Sequence, residues 1–270
     1  MKDKHMKYLV LPLTVAALMR SVPLIAHAQD ADPAGTHKLF LQRRSEAQQA
    51  LDAAGVQYKS FAVQKDGTYA LTLLPSVTNL NALAGLPVSS LKLFMCTNVV
   101  DLSGITNVAS LKSLHIEGLK GTDLSPLAHT RIQELFLRGT HITDFTPLNN
   151  LPLRKLTSNG AWFKDISCLH GMPLKDLNIE YTGVTDLTPL EGMQIEQLGI
   201  IGSRVTDLSP LEGMPLRGIS LTPARIKKGY DALRRMKTLE GVYVPYESLT
   251  MPEFWQRMND EKEEKTEPAN

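Results

Sequence analysis

A chain of 270 residues has room for one or two domains, and an apolar content of 43 % is enough to fill a core. Its 29 basic and 28 acidic side chains leave a formal charge of +1, which offers no basic field for nucleic acid and no polybasic strip for a membrane surface. Without its first 28 residues the balance becomes −2, so nothing points to a polyanionic partner.

The N-terminus reads as an export signal over residues 1–28. Lys2, Lys4 and Lys7 form a positive front, and Tyr8 to Met19 is apolar apart from Thr14. Ala26-His27-Ala28 gives a small-x-small pattern before cleavage at Gln29. Arg20 splits the apolar segment, which is shorter than the roughly 20 residues a membrane span needs, so no stable insertion is expected after cleavage. The expected location is the periplasm or the exterior.

Residues 29–68 are expected to form an N-terminal cap. His37 to Ala54 has helical composition, with Leu39, Phe40, Ala47, Ala50 and Leu51 available for one face. Tyr58–Gln64 and Thr68–Leu74 flank Lys65-Asp66-Gly67, a hairpin signal.

From Tyr69 to Val244 the sequence repeats. Asp-Leu-Ser-Pro-Leu stands at Asp123–Leu127 and again at Asp207–Leu211, with variants between them, so that Asp123, Asp144, Asp165, Asp186 and Asp207 are each 21 residues apart. Asp101 and Asn79 head earlier copies, each 22 residues before the next. Nine residues before the aspartates begin apolar-x-apolar triplets such as Leu114-His115-Ile116, Leu135-Phe136-Leu137 and Leu177-Asn178-Ile179. Leu156-Thr157-Ser158 is the weak member, with serine where the core wants an aliphatic side chain. Each triplet predicts a short strand with two side chains inward and one outward. Gly118, Gly139, Gly160 and Gly202 turn the chain after it, and Ser125, Thr146, Thr188 and Ser209 are expected to cap a helical turn opened by the following proline. The return leg is too short for a long helix and predicts 3₁₀ pieces. A single repeat cannot bury its apolar side, whereas a stack can.

Residues such as those of Leu174–Leu190, with Val-Thr-Asp-Leu-Thr-Pro-Leu closing the repeat, resemble bacterial leucine-rich repeats of the short, internalin-like kind. They are similar to repeats of exported bacterial proteins and of the outer regions of bacterial membrane serine/threonine kinases. The resemblance implies an α/β solenoid, a leucine-rich-repeat horseshoe with a parallel concave sheet and a convex side of 3₁₀ turns. It implies partner binding without naming a partner. Beyond it, residues 245–259 are expected to form a C-terminal lid, with Met251 to Trp255 folding back, and residues 260–270 a tail without structure.

Cys96 and Cys168 fall about three repeats apart, near 14 Å at roughly 4.7 Å per strand, beyond the ~7 Å limit for a disulfide. No phosphate loop, nucleophile elbow or zinc-protease helix occurs. The aspartate column is read as serving its own turns rather than a metal, and no cofactor is expected. No enzyme is expected. The reading is a non-catalytic exported module that binds a protein, or less favourably a glycan, through its concave face; the alternative is a structural or self-associating envelope scaffold. Phe136, Arg138, Trp162, Asn178 and Tyr181 are the candidate binding residues, because exposed aromatics and arginine anchor interfaces.

Overall fold

The computed structural model describes residues 33–99, 101–119, 123–160, 162–245 and 247–264. The expected export signal lies outside them. The chain divides into two compact units, Met1–Val56 and Gln57–Asn270.

In the first unit the described residues form helix α1 (Pro33–Ala53). Ala47 and Leu51 are buried, one helical turn apart. Leu39, Phe40 and Leu41 are exposed, so the expected apolar face is not buried along its length.

The second unit is built on one sheet of 11 strands whose spatial order is the order of the chain. The strands are β1 (Tyr58–Val63), β2 (Tyr69–Leu73), β3 (Val88–Phe94), β4 (Ser113–Glu117), β5 (Glu134–Arg138), β6 (Lys155–Thr157), β7 (Asp176–Asn178), β8 (Gln197–Gly199), β9 (Gly218–Ser220), β10 (Gly241–Val244) and β11 (Glu247–Thr250). From β2 to β10 every neighbouring pair is parallel. Antiparallel hairpins β1–β2 and β10–β11 finish the two ends. The first hairpin turns at Lys65-Asp66-Gly67, where Gly67 takes the left-handed φ of 83° that the sharp turn requires. The boundary between units falls after Val56, so this hairpin goes with the sheet and not with the helix. Strand β11 was not anticipated, because Glu247-Ser248-Leu249-Thr250 is nearly all exposed and carries no alternation.

The alternation of the triplets sets the core. Leu91, Leu114, Leu135, Leu156, Leu177, Leu198, Ile219 and Val242 align in one buried row, since each is paired in register with the next. Burying one such side chain is worth about 1.5–3 kcal/mol, and each depends on the repeats on either side for its cover. Ser158, at the second inward position of its triplet, is as deeply buried as the aliphatics but its hydroxyl has no partner. Nearby, Phe145 and Phe163 stack at 3.9 Å between ring centroids, bulky members of columns otherwise filled by leucine, isoleucine and valine.

After each strand the chain crosses to a 3₁₀ turn, for example Ser125–His129, Thr146–Leu148, Ser167–Leu169, Thr188–Leu190 and Ser209–Leu211. The expected serine and threonine caps are not what hold these turns. The residues at the cap positions are Leu124, Phe145, Leu187 and Leu208, and the capping oxygen comes from the preceding aspartate. Asp123, Asp144, Asp165, Asp186 and Asp207 accept the backbone N–H two residues on, at 2.8 to 2.9 Å. Thr146, Ser167 and Thr188 add a hydroxyl donor to the same carboxylate. A short acidic side chain reaches its own turn more easily than the serine or threonine inside it.

At the C-terminal end, helix α2 (Tyr230–Arg235) precedes β10, and helix α3 (Met251–Glu264) follows β11. Phe254 of α3 is fully buried, with its ring 5.0 Å from that of Trp255 and 6.2 Å from that of Tyr230. The helix runs through Glu264, past the expected start of an unstructured tail at Asp260. Glutamate and lysine are good helix formers, and they extend a helix once its first turns are packed.

Candidate functional site

The outward face of the sheet is a set of rows, because parallel strands in register stack equivalent side chains. Its middle row runs Lys92, His115, Phe136, Thr157, Asn178, Gly199, Ser220 and Tyr243. His115 and Phe136 stack with ring centroids 3.9 Å apart and planes 11° from parallel. The Ser113 hydroxyl lies 3.3 Å from His115 Nε2. Burial and then Lys92 push the His115 pKa down against the opposing pull of Glu134. Lys155 sits with its Nζ 5.8 Å from the Phe136 centroid while pairing with Asp176.

On the next strands Asn178 accepts the Glu180 N–H at 3.0 Å and adjoins Gly199, where a Cβ would come within 2.9 Å of its amide. The Glu180 carboxylate accepts the Ser220 hydroxyl, two strands away, at 2.5 Å.

Where strands β3 to β8 end, one residue in each of these six repeats takes a left-handed φ to turn the chain out of the sheet. Gly118, Gly139, Gly160 and Gly202 hold this place with φ of 73°, 59°, 64° and 68°. In two repeats it is held by Met95 at 53° and Tyr181 at 56°. A side chain with a Cβ costs about 1–2 kcal/mol there. Both lie over the glycine of the following repeat: a Cβ on Gly118 would meet Met95 Sδ at 2.6 Å, and one on Gly202 would meet Tyr181 Cδ1 at 2.5 Å. Tyr181 remains 63 % exposed, so burial offsets little of its strain.

The five residues singled out from sequence do not form one contiguous cluster. Phe136 and Asn178 share the middle row, separated by Thr157. Arg138 stands exposed two residues beyond Phe136 on β5, and Tyr181 stands on the rim. Trp162, 59 % exposed, lies two residues past the rim glycine and meets His141 edge-on at 5.6 Å. It lines a cleft of about 460 Å³ on the flank, with Asp144, Asn149, Lys164 and Cys168, and not the sheet face itself. Its neighbour Phe163 is wholly buried, as the column of Ile142, Val184 and Val205 requires.

Sequence reasoning missed Met95 and its exposed neighbours Leu74 and Phe94, at the ends of β2 and β3. The available signal was a methionine in a column that four repeats give to glycine. Burial first, and then Asp165, push the Cys168 thiol up to about 11, and burial raises the Cys96 thiol too, so both stay protonated. The aspartate carboxylates are held low by the hydrogen bonds of their own turns, and among the described residues no His, Cys, Asp and Glu side chains gather into a metal-binding group. Nor, among the described residues, is any helix long and apolar enough to cross a membrane.

No family model matches the sequence, and no curated protein matches it closely. Among solved structures, internalin C2 of Listeria monocytogenes is similar at 25 % identity with a TM-score of 0.53, over 66 % of this chain and 81 % of that one. The internalin inlF of the same organism aligns at 22 % identity and a TM-score of 0.45, over 62 % of this chain and 57 % of its own. The repeating strand and 3₁₀ turn and the likeness to internalin C2 agree: the fold is an internalin-like leucine-rich-repeat solenoid.

Proposed function

We propose that this leucine-rich-repeat solenoid is a non-catalytic recognition module that binds a protein partner through the outward face of its sheet and the adjoining rim. Tyr181 carries the reading. It occupies a left-handed position that four other repeats give to glycine, it is exposed, and its ring spends its area on solvent rather than on the core. Apart from its contact with Gly202, the strained ring gains little within the fold, and a partner that covers it supplies a return. Phe136, already stacked on His115 and fixed in position, Arg138 and Asn178 extend the surface over β5 to β7, and Trp162 borders it. Stacked or packed side chains of this kind lose little further freedom on binding. The positive front and apolar run of residues 1–28 support action outside the cytoplasm, in the periplasm or beyond the cell.

The test is affinity capture from the envelope fraction of the exporting cell, with the chain from Gln29 onward as bait. A second bait carries Phe136→Glu, Arg138→Glu, Trp162→Glu and Tyr181→Glu together, with its fold verified by circular dichroism. A protein held by the first and released by the second supports the reading. A glycan held in place of a protein revises the ligand class. A bait that binds only itself, in a concentration-dependent way that survives the four changes, favours a self-associating scaffold.

A further inference from the structure

The repeat unit settles its charges unevenly. From β6 onward, three basic residues at the N-terminal ends of the strands are paired across neighbouring repeats, Lys155 with Asp176, Lys175 with Glu196 at 2.9 Å, and Arg217 with Glu240 at 2.5 Å, while Arg154 is in no ion pair among the described residues. Over β2 to β5 this pattern stops. Here an open hollow of about 800 Å³ on the outward face is lined by Lys65 of the first hairpin turn, Lys92 of β3 and Lys112 just before β4. Among the described residues none of these three ammonium groups has an ion-pair partner.

The floor between them carries the hydroxyls of Thr68, Ser89, Ser90 and Ser113, with His115 at one side. Two carboxylates border the hollow, and only Glu134 faces it without a local duty. Asp66 accepts both the Thr68 N–H at 3.0 Å and the Thr68 hydroxyl at 2.7 Å, holding the hairpin turn together. Ser89 is oriented in turn, its hydroxyl 2.6 Å from that of Thr68. The hollow lies several strands from Tyr181, on a part of the sheet where none of the five proposed binding residues except Phe136 adjoins it.

We infer that this lysine-lined hollow is a second docking site, which takes an acidic segment of a protein partner by its carboxylates. Charge complementarity chooses the occupant: three cations without ion-pair partners among the described residues line a concave floor, so carboxylate oxygens find opposite charge there, with the Ser90 hydroxyl beside it. The apolar residues Leu74, Phe94 and Met95 lie exposed at the far ends of β2 and β3, so a segment that continues along these strands leaves the cations for an apolar lip. Unlike the surface around Tyr181, the site is therefore expected to bind in a salt-dependent way.

The experiment uses the chain from Gln29 onward and a fluorescein-labelled hexaglutamate peptide, read by anisotropy at low and at physiological ionic strength. Hexaglutamine and a sulfated oligosaccharide are run as separate probes. Two triple variants are compared: Lys65→Gln, Lys92→Gln, Lys112→Gln in the hollow, and Arg204→Gln, Lys227→Gln, Lys237→Gln elsewhere, with the same loss of charge. Binding of hexaglutamate, no binding of hexaglutamine, and about a tenfold or greater loss in the first triple only supports the site. All six positions are exposed, so both variants are expected to fold, and circular dichroism verifies it. Absence of hexaglutamate binding overturns the inference. So does an equal loss in both triples, which reports net charge alone, or a preference for the sulfated sugar over the peptide. Because the probe does not touch Tyr181, failure here leaves the reading of the Tyr181 surface standing, and the reverse also holds.

Discussion

Ser158 offers a direct test of how the core is assembled. It stands in a position that other repeats give to Ile116, Leu137, Ile179, Ile200 and Leu221, is fully buried, and leaves its hydroxyl without a partner. An unpaired buried hydroxyl costs about 1–3 kcal/mol, whereas the methyl of alanine at the same place costs nothing in hydration and opens little extra space. Ser158→Ala is therefore expected to stabilise the chain by about 1 kcal/mol, or roughly 2–4 °C in midpoint for a unit of this size. Ser203 is the control. It is equally buried, but its hydroxyl donates to the Ile200 carbonyl at 2.8 Å, so Ser203→Ala is expected to destabilise by about 1 kcal/mol. Urea unfolding followed by circular dichroism, with both variants beside the parent chain, decides the matter. If Ser158→Ala lowers the midpoint as much as Ser203→Ala does, the hydroxyl has a partner, and the argument that Ser158 is an unrewarded polar substitution in the core is wrong.

Other consequences follow from the turns. Gly229 has a φ of 87° and a Cβ there would come within 2.3 Å of the Ser209 backbone nitrogen, so Gly229→Ala is expected to cost about 3 kcal/mol by the same urea titration. Leu177→Ala, in the middle of the buried row, is expected to cost about 2–5 kcal/mol; a loss below 1 kcal/mol would mean that the row is loosely packed. The aspartate column makes the fold acid-sensitive. Asp123, Asp144, Asp165 and Asp186 are held below the ordinary carboxylate range, first by the hydroxyl and then by the backbone N–H of the residue two further on. Their contribution is thus complete above the unfolded value of about 3.9 and is lost as pH falls through the lower folded values. Urea midpoints measured from pH 7 to pH 2 are expected to hold level to about pH 5 and to fall below pH 4, and Asp144→Asn is expected to flatten part of that fall.

Much of this fold is legible in the sequence because each repeat states the same physics. The triplets place Leu135 and Leu177 in the core, and column alignment separates exposed Trp162 from buried Phe163 although the two are adjacent. What escaped has local causes. Strand β11 has no inward partner and so no alternation to read. The capping task went to the aspartates because a carboxylate two residues back reaches the turn amide better than the hydroxyl within it. Tyr181 was recognisable as an exposed aromatic residue, but its strain was not, since left-handed φ becomes visible only when it is aligned with Gly160 and Gly202. The lysine hollow was beyond reach, because Lys65, Lys92 and Lys112 are brought together only by the pairing of β2, β3 and β4.

The measurement that bears most directly on the functional reading is retention of the captured partner by Tyr181→Gly, taken together with that variant's urea midpoint. Glycine is what four other repeats use at this place, so the released strain of about 1–2 kcal/mol is expected to balance or exceed the ring's modest packing and the added freedom of the unfolded chain. The account predicts a midpoint unchanged or raised and retention reduced at least about tenfold, as expected for loss of an aromatic anchor. A lowered midpoint with retention unchanged would contradict it, and would make Tyr181 a structural residue of the rim.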